Sequence, residues 1–405
     1  MLKSEMEISN CRLCDMPADN MRMTLGNLVF TGIFPMAGEE VPVGHLSIFE
    51  CKTCGLIQTT HDFDREVMYG ENYGYRSGLN SSMVKHLERK VSRIISKYKI
   101  DPSGIVIDVG SNDGTLLNSL PETFRRIGVD PTISKFSGFY KEGIEQIASF
   151  FDETTLHVTA DLITTISMFY DLPDPHSFIK NLLSNLDTVS GVWHMEQAYW
   201  PQTVRTLGYD TICHEHLEYY SLSTIVWIAK RHNLKILDVG FNDINGGSFY
   251  VDLAHVGSIH ESIDVTLLEW LIEDESIFLN QNPLSLFESR MKSHATSLNN
   301  LLKRLVNSNH SVIALGASTK GNVLLQMADI DSSIISGIGE INEDKFGKLT
   351  PGTSIKIFEE NFLLEKEPDF ALILPWHFAA GMVGNLKSRF PNTKIIVPLP
   401  QIRIL

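Results

Sequence analysis

The sequence predicts an α/β protein in which a zinc-binding N-terminal module precedes two Rossmann-like domains. Two Cys-x-x-Cys pairs, "CRLC" and "CKTC", lie close to the start of the chain. Two separate stretches, "GIVIDVGSNDGTLLNSL" and "HSVIALGASTKGNVLLQM", each run from a buried-strand pattern through a glycine turn into a helix. After both, short apolar runs alternate with helical segments, the pattern of a parallel sheet covered by helices. At 405 residues the chain is too long for one ordinary core. The expected modules span residues 1–78, 79–285 and 286–405.

In the first module, Cys11, Cys14, Cys51 and Cys54 can deliver four thiolates to one tetrahedral zinc ion. The long separation between the pairs suggests that each turn ends a hairpin. Four thiolates leave no open coordination position, so this zinc is expected to support folding and not catalysis. The next stretch, "SSMVKHLERKVSRIISKYKI", places Val84, Leu87, Val91, Ile94 and Ile95 at helical spacing, with basic residues on the other face. It reads as an amphipathic helix packed on the following domain.

That domain opens with "IDVGSNDGTLL", in which Asp108 and Gly110 end a strand and Ser111, Asn112 and Gly114 follow in the turn. The turn does not fit the G-x-G-x-x-G dinucleotide fingerprint. An acidic residue entering a glycine turn suits S-adenosylmethionine, which has an amino-acid end and no phosphates. Asp130, in "GVDP" about twenty residues on, sits where a carboxylate can take both ribose hydroxyls. Further strands are expected in "LITTISMFYDLP" and "VSGVWHMEQAYWP". In the last domain, "GASTKG" follows a strand, and Glu340 near the end of the next strand would support an NAD site. Lys320 inside that turn is unusual for a dinucleotide loop and could meet a phosphate or sugar oxygen. Further strands are expected in "IISGIGEIN", "DFALILPWHF" and "TKIIVPLP".

Hydrophobic content of 43% and charged content of 20% are those of a globular protein. A formal charge of −15 argues against binding duplex nucleic acid. No apolar run reaches membrane-spanning length and "MLKSEMEISN" lacks a signal-peptide core, so the expected compartment is the cytoplasm, without membrane contact. One further cluster, "TICHEHLEYYS", misses the His-Glu-x-x-His zinc-hydrolase pattern because Glu218 stands where a histidine is needed. Cys213, His214 and His216 are poor candidates for a second metal site, because consecutive positions on an extended chain alternate faces.

Taken in order, the cysteine pairs, "YGYRS", "DVGSNDGTLL", "CHEHLEYYS", "NGGSFYV", "GASTKGN", "PGT" and "LPWHF" closely resemble the sugar C-methyltransferases over essentially the whole chain. The resemblance implies a zinc module, a central S-adenosylmethionine-binding class I methyltransferase domain and a C-terminal α/β domain that contacts the substrate. It also implies a nucleoside-diphosphate keto-deoxysugar as substrate, methylated on carbon. Such chemistry needs a base to remove the proton beside the ketone, and histidine has the pKa range for it. By the family motif that base is His216, with Glu215 as its acidic partner and Tyr75 as the catalytic tyrosine of the loop. Tyr73, Ser77, His214, Asn245, Gly247, Ser248, Lys320 and Asn322 would bind substrate, with Trp376 and His377 near them. The family's familiar members carry a tyrosine at the position of Cys213, and often a histidine at that of Asp171. A thiol is a weaker hydrogen-bond donor than a phenol, so these departures bear on which carbon is methylated. An O- or N-methyltransferase and a non-catalytic scaffold are the alternatives. A monomer is expected.

Overall fold

Runs of valine, isoleucine and leucine bounded by glycine turns become the strands of three sheets in the computed structural model, which describes residues 5–18, 22–69 and 74–405, the side chains of residues 66 and 67 excepted. The N-terminal sheet pairs Arg22–Val29 with Val43–Glu50 and Val43–Glu50 with Ile57–Thr59, all antiparallel. Burial alternates along Arg22–Val29, as one covered face requires. Its fourth strand, Glu218–Tyr219, comes from far along the chain and pairs with Ile57–Thr59. The second cysteine turn joins the paired strands ending at Glu50 and starting at Ile57, and the first is closed by a bridge between Asn10 and Pro17. Both turns therefore end hairpin-like loops.

The central sheet has seven strands in the order Leu234–Asn242, Ser248–His255, Val192–Ala198, Leu162–Ile166, Ile105–Val109, Arg125–Val129 and Ile144–Ile147. The last five run parallel, and Ser248–His255 is antiparallel to both its neighbours. Strand order reverses beside Ile105–Val109, so the glycine turn that follows it opens into the crevice where doubly wound sheets bind ligands. The C-terminal sheet runs Ile357–Glu359, Ile338–Glu340, Val312–Leu315, Phe370–Ile373, Lys394–Val397 and Arg403–Ile404, with only the last strand antiparallel. This is a second Rossmann-like arrangement, with "GASTKG" at its own switch point.

The helix Ser81–Tyr98 begins at Asn80, whose side chain accepts from the Ser82 N–H, and ends at Lys99 in the left-handed conformation. Leu87, Val91 and Ile94 are buried, as the spacing predicts, whereas Val84 and Ile95 are half-buried and Met83 joins the buried face. Its basic face is not all solvated. Lys90 is buried against Glu196, while Arg93 meets Asp238 and Asp252. The strands beneath carry acids toward the helix, so an amphipathic pattern conceals an ionic seam.

The N-terminal module lies between the two α/β sheets. Its strand residues Met23, Leu46 and Ile48, with Phe30 just beyond the first strand, share a core with the C-terminal sheet and the helix Leu284–Asn307. Its cysteine turns share a core with the central sheet through Leu13, Phe49 and Leu56. Tyr209, Ile212 and Cys213 belong to the first of these cores, so the His-Glu-His loop sits where all three modules meet. Among the described residues, no helix is long and apolar enough to cross a membrane.

Candidate active site

The four paired cysteines converge, with their sulfurs all within 4.8 Å of one another. Cys11 Sγ lies 3.6 Å from Cys54 Sγ, and Cys14 Sγ 3.3 Å from Cys51 Sγ. Sulfurs about 2.3 Å from a tetrahedral zinc are separated by roughly 3.8 Å, so the cluster has the right size. Gln58 Nε2 donates to Cys11 Sγ at 2.9 Å, an outer contact of the kind that orients a thiolate ligand.

A cavity with about 1130 Å³ of space free of atoms, part of it open to solvent, lies over the glycine turn of the central sheet. Asp108, Gly110, Ser111, Asn112 and Asp130 line it, as do Tyr75, Ser77, Met168 and Asp171. Gly110 has φ of +78°, and a Cβ there would approach the Met168 side chain to 2.8 Å, so both conformation and space require glycine. Gly114 stands at the start of the helix Thr115–Asn118. Asp130 Oδ2 accepts the Asn112 N–H at 2.9 Å, and its Oδ1 accepts the Thr132 N–H and hydroxyl. Burial pushes the Asp108 carboxyl up to about 7, against a hydrogen bond from Thr164. Among the described residues, Arg65 is the one basic residue in the lining, set against three acids. That charge balance suits a cationic ligand with hydroxyls and not a diphosphate, which fits S-adenosylmethionine.

Residues 74–79 form a strap across this cavity. Asn112 Oδ1 accepts the Ser77 N–H, Asp113 Oδ2 accepts the Gly78 N–H, and Arg76 pairs with Asp113. Asn112 Nδ2 donates to the Tyr75 carbonyl, and Asn342 of the C-terminal domain donates to the Gly74 carbonyl. Tyr75 is 49% exposed at the cavity wall.

Behind that wall stands His216. Its Nδ1 lies 2.8 Å from the Thr211 carbonyl, which only accepts, so Nδ1 carries the proton and Nε2 the lone pair. Nε2 has no hydrogen-bond partner among the described residues. The ring packs edge-on against Tyr170, with centroids 4.4 Å apart, and Tyr170 directly precedes the cavity residue Asp171. Burial, aided by the nearby Lys320 charge, holds the imidazole down at about 3. Lys320 Nζ donates to the Asn245 carbonyl at 2.9 Å. Asp210 Oδ2 accepts the Trp376 Nε1–H at 2.7 Å, while its Oδ1 is buried without a partner.

Other expected residues lie elsewhere. The carboxyl of Glu215 is not hydrogen-bonded to His216. It lies against Gly32, where a Cβ would come within 2.0 Å of Oε1, and burial raises its pKa. His214 was expected on the substrate side, yet it is fully buried between Phe30, 4.5 Å away, and Phe63, 4.9 Å away. Residues two apart on an extended chain would share a face, but the chain bends here, with the His216 N–H turned back to the Cys213 carbonyl, so His216 and His214 part company. Asn322 is corrected in the same way. It is fully buried, and its Nδ2 donates to the Thr31 carbonyl at 2.7 Å, stapling the C-terminal domain to the N-terminal module. Asn245 takes a positive φ, Gly247 packs on Gln202, and the Ser248 hydroxyl donates to the Ile244 carbonyl. Tyr73 lies outside the described residues. Glu340 does not lie open for a ribose, since its Oε2 accepts the Ala317 N–H and its Oε1 the N–H groups of Ile341 and Asn342.

Sequence reasoning missed Tyr170, which meets His216 within the central domain, and Asp210 and Asn342, whose partners lie in other modules. Asp210 and Trp376 are 166 residues apart, and no local pattern could join them.

Comparison with known proteins gives matches along most of the chain. Residues 83–239 match a family described as a methyltransferase domain, and residues 243–400 one described as a C-methyltransferase C-terminal domain. The C-methyltransferase NovU of Streptomyces niveus is 26% identical over 98% of this chain and 97% of its own length. Among solved structures, a chain from the complex of the Haloferax volcanii Trm112 methyltransferase activator with a methyltransferase covers 43% of this chain and 94% of its own, at 12% identity and a TM-score of 0.35. An S-adenosylmethionine-dependent methyltransferase from Clostridium acetobutylicum covers 42% of this chain and 92% of its own, at 12% identity and a TM-score of 0.35.

Proposed function

Because the chain belongs to the S-adenosylmethionine-dependent C-methyltransferases, we propose that it methylates the carbon beside the ketone of a nucleoside-diphosphate keto-deoxysugar, with His216 as the base. The orientation of His216 carries this reading. A backbone carbonyl fixes the tautomer with Nε2 free, and the ring packs on Tyr170, the residue before the cavity-lining Asp171. A neutral imidazole with an accessible lone pair is what proton abstraction from carbon requires.

S-adenosylmethionine, when bound, supplies an electrophilic methyl group on a sulfonium. Asp108, Gly110, Ser111, Asn112 and Asp130, which line the cavity, are the residues that would hold it, with Asp130 facing the ribose and Gly114 starting the helix behind the turn. His216 takes the proton from the substrate carbon, and the carbanion is held in line with the donor by the surrounding walls. The strap brings Tyr75 and Ser77 over the donor cavity and, through Asn342, touches the C-terminal domain. Tyr75 then closes on the acceptor. Asn245, Gly247 and Lys320 bound the acceptor on its other side. Glu215, buried against Gly32 and Thr319, braces the loop that presents His216. Cys11, Cys14, Cys51 and Cys54 hold a structural zinc.

His216→Asn tests the assignment. Methyl transfer should fall by about 100-fold or more while S-adenosylmethionine binding, followed by calorimetry, is retained. Full activity in this variant would refute the base. Solvent deuterium incorporated at the carbon beside the ketone separates carbon methylation from O- or N-methylation, which needs no such exchange.

A further inference from the structure

We propose that Lys320 is the electrophilic group of the reaction, its ammonium facing the carbonyl oxygen of the acceptor and stabilising the oxyanion formed when His216 removes the proton from carbon. This inference rests on the carbon-methylation reading above.

Taking a proton from beside a ketone moves negative charge onto oxygen, and a preorganised donor must meet that charge. The side chains around His216 offer few. Cys213 carries a weak S–H donor whose pKa burial raises further, and Asp210 is an acid. Lys320 is different. It sits in the first turn of the helix Thr319–Met327, capped by Ser318, where the amide dipoles add positive potential. That turn lies near the catalytic loop: a Cβ placed on Gly32 would come within 2.0 Å of the Glu215 carboxyl and 3.6 Å of the Thr319 hydroxyl.

The ammonium has three N–H groups, and among the described residues only one is used, toward the Asn245 carbonyl. Its charge is felt by His216, His377 and Asp210, yet no carboxylate lies within salt-bridge distance of it among the described residues. Asp210 gives one oxygen to Trp376 and leaves the other unpaired. Lys320 is half-buried, and its two donors unspent on the protein are free to meet an anionic or strongly polar ligand. An enolate oxygen becomes such a ligand at the moment its charge appears. The same cation helps to keep His216 neutral, so base and electrophile are set by one residue.

The step balances without a co-reactant. The C–H bond breaks as an N–H bond forms at His216 Nε2. The C–H electron pair becomes the carbon–carbon π bond, and the carbonyl π pair moves to the oxygen opposite Lys320. In D2O the base exchanges its proton and returns a deuteron, so the step is read without methyl transfer.

The test follows deuterium exchange by NMR in a nucleoside-diphosphate 4-keto-6-deoxyhexose, with S-adenosylhomocysteine present, for wild type, Lys320→Met, Lys320→Gln and Lys320→Arg. S-adenosylmethionine calorimetry on each variant verifies that the central domain is folded. The expected result is exchange by wild type, a kcat for exchange at least about 100-fold lower in the neutral variants, and partial recovery in Lys320→Arg. The KM for the sugar nucleotide should change little by comparison. The acid limb of the residual exchange should move upward in pH, because His216 has lost a neighbouring cation. Neutral variants that keep the wild-type kcat but raise KM would overturn the proposal and assign Lys320 to binding the diphosphate. No exchange by wild type with any keto-sugar nucleotide would overturn the carbon-methylation reading, and this inference with it.

Discussion

At the scale of single residues, the two decisive features are which hydrogen-bonding groups are spent and which are free. Asp130 already accepts from the Asn112 N–H and from the N–H and hydroxyl of Thr132, and a carboxylate has about four lone-pair sites, so one site on Oδ2 is left for a ribose hydroxyl. Asp130→Ala should weaken S-adenosylmethionine binding by about 10- to 100-fold by calorimetry, and Asp130→Asn by less, since charge-assisted hydrogen bonds contribute about 1.5–3 kcal/mol. His216 sits at about 3 because the protonated ring is disfavoured by burial and by Lys320. A group lowered in this way stays neutral as pH falls through the ordinary histidine range. The kcat/KM for deuterium exchange should therefore show no acid limb near pH 6.5, and a limb there would contradict the environment described. The convergence of Asp108, Gly110 and Asp130 on one cavity was legible from their spacing, because a strand, a turn and the next strand bring neighbours together by rule. The parting of His214 from His216 was not legible, because residues two apart on an extended chain share a face, and neither was which of them would turn from the cavity. That depended on Phe30 and Phe63 offering an aromatic slot to His214.

At the scale of elements, the helix Ser81–Tyr98 shows what an apolar stripe leaves unsaid. Its packing face was readable from the 3.6-residue period. The acids awaiting Lys90 and Arg93 were not, because they lie on strands more than a hundred residues away. Asp252 is fully buried with His194, and Arg93 and Tyr98 complete its shell. Burial alone would raise this carboxyl, but the His194 and Arg93 charges and their hydrogen bonds hold it at about 2. Its folded-state pKa is depressed below 3.8, so its contribution to stability is present above that value and lost as pH falls through about 2. Asp252→Asn should destabilise the central domain by about 1–3 kcal/mol in urea unfolding at neutral pH, because it removes the buried carboxylate that His194, Arg93 and Tyr98 share. The difference between variant and wild type should shrink toward pH 2. A variant as stable as wild type at pH 7 would mean that the seam contributes specificity alone.

At the scale of the whole molecule, the N-terminal module is a wedge whose two faces complete the cores of two other domains. Loss of its metal should therefore reach beyond it. Metal analysis should find about one zinc per chain. Cys51→Ser should lower the thermal transition of the entire protein and remove that zinc, and a variant that loses zinc with an unchanged melting profile would show that the cluster is dispensable for the fold. The sequence by itself determined the modules: paired cysteines, glycine turns and alternating apolar runs are local patterns, and local patterns dictate strands, helices and the crevice at a switch point. Which side chains share the crevice was decided only by tertiary structure. Tyr170, Asp210, Lys320 and Trp376 come from separate turns of the fold, and Glu218–Tyr219 joins a sheet formed by residues far earlier in the chain. Packing three cores against one loop brings these groups together, and the spacing of residues along a chain carries no information about which surfaces will meet.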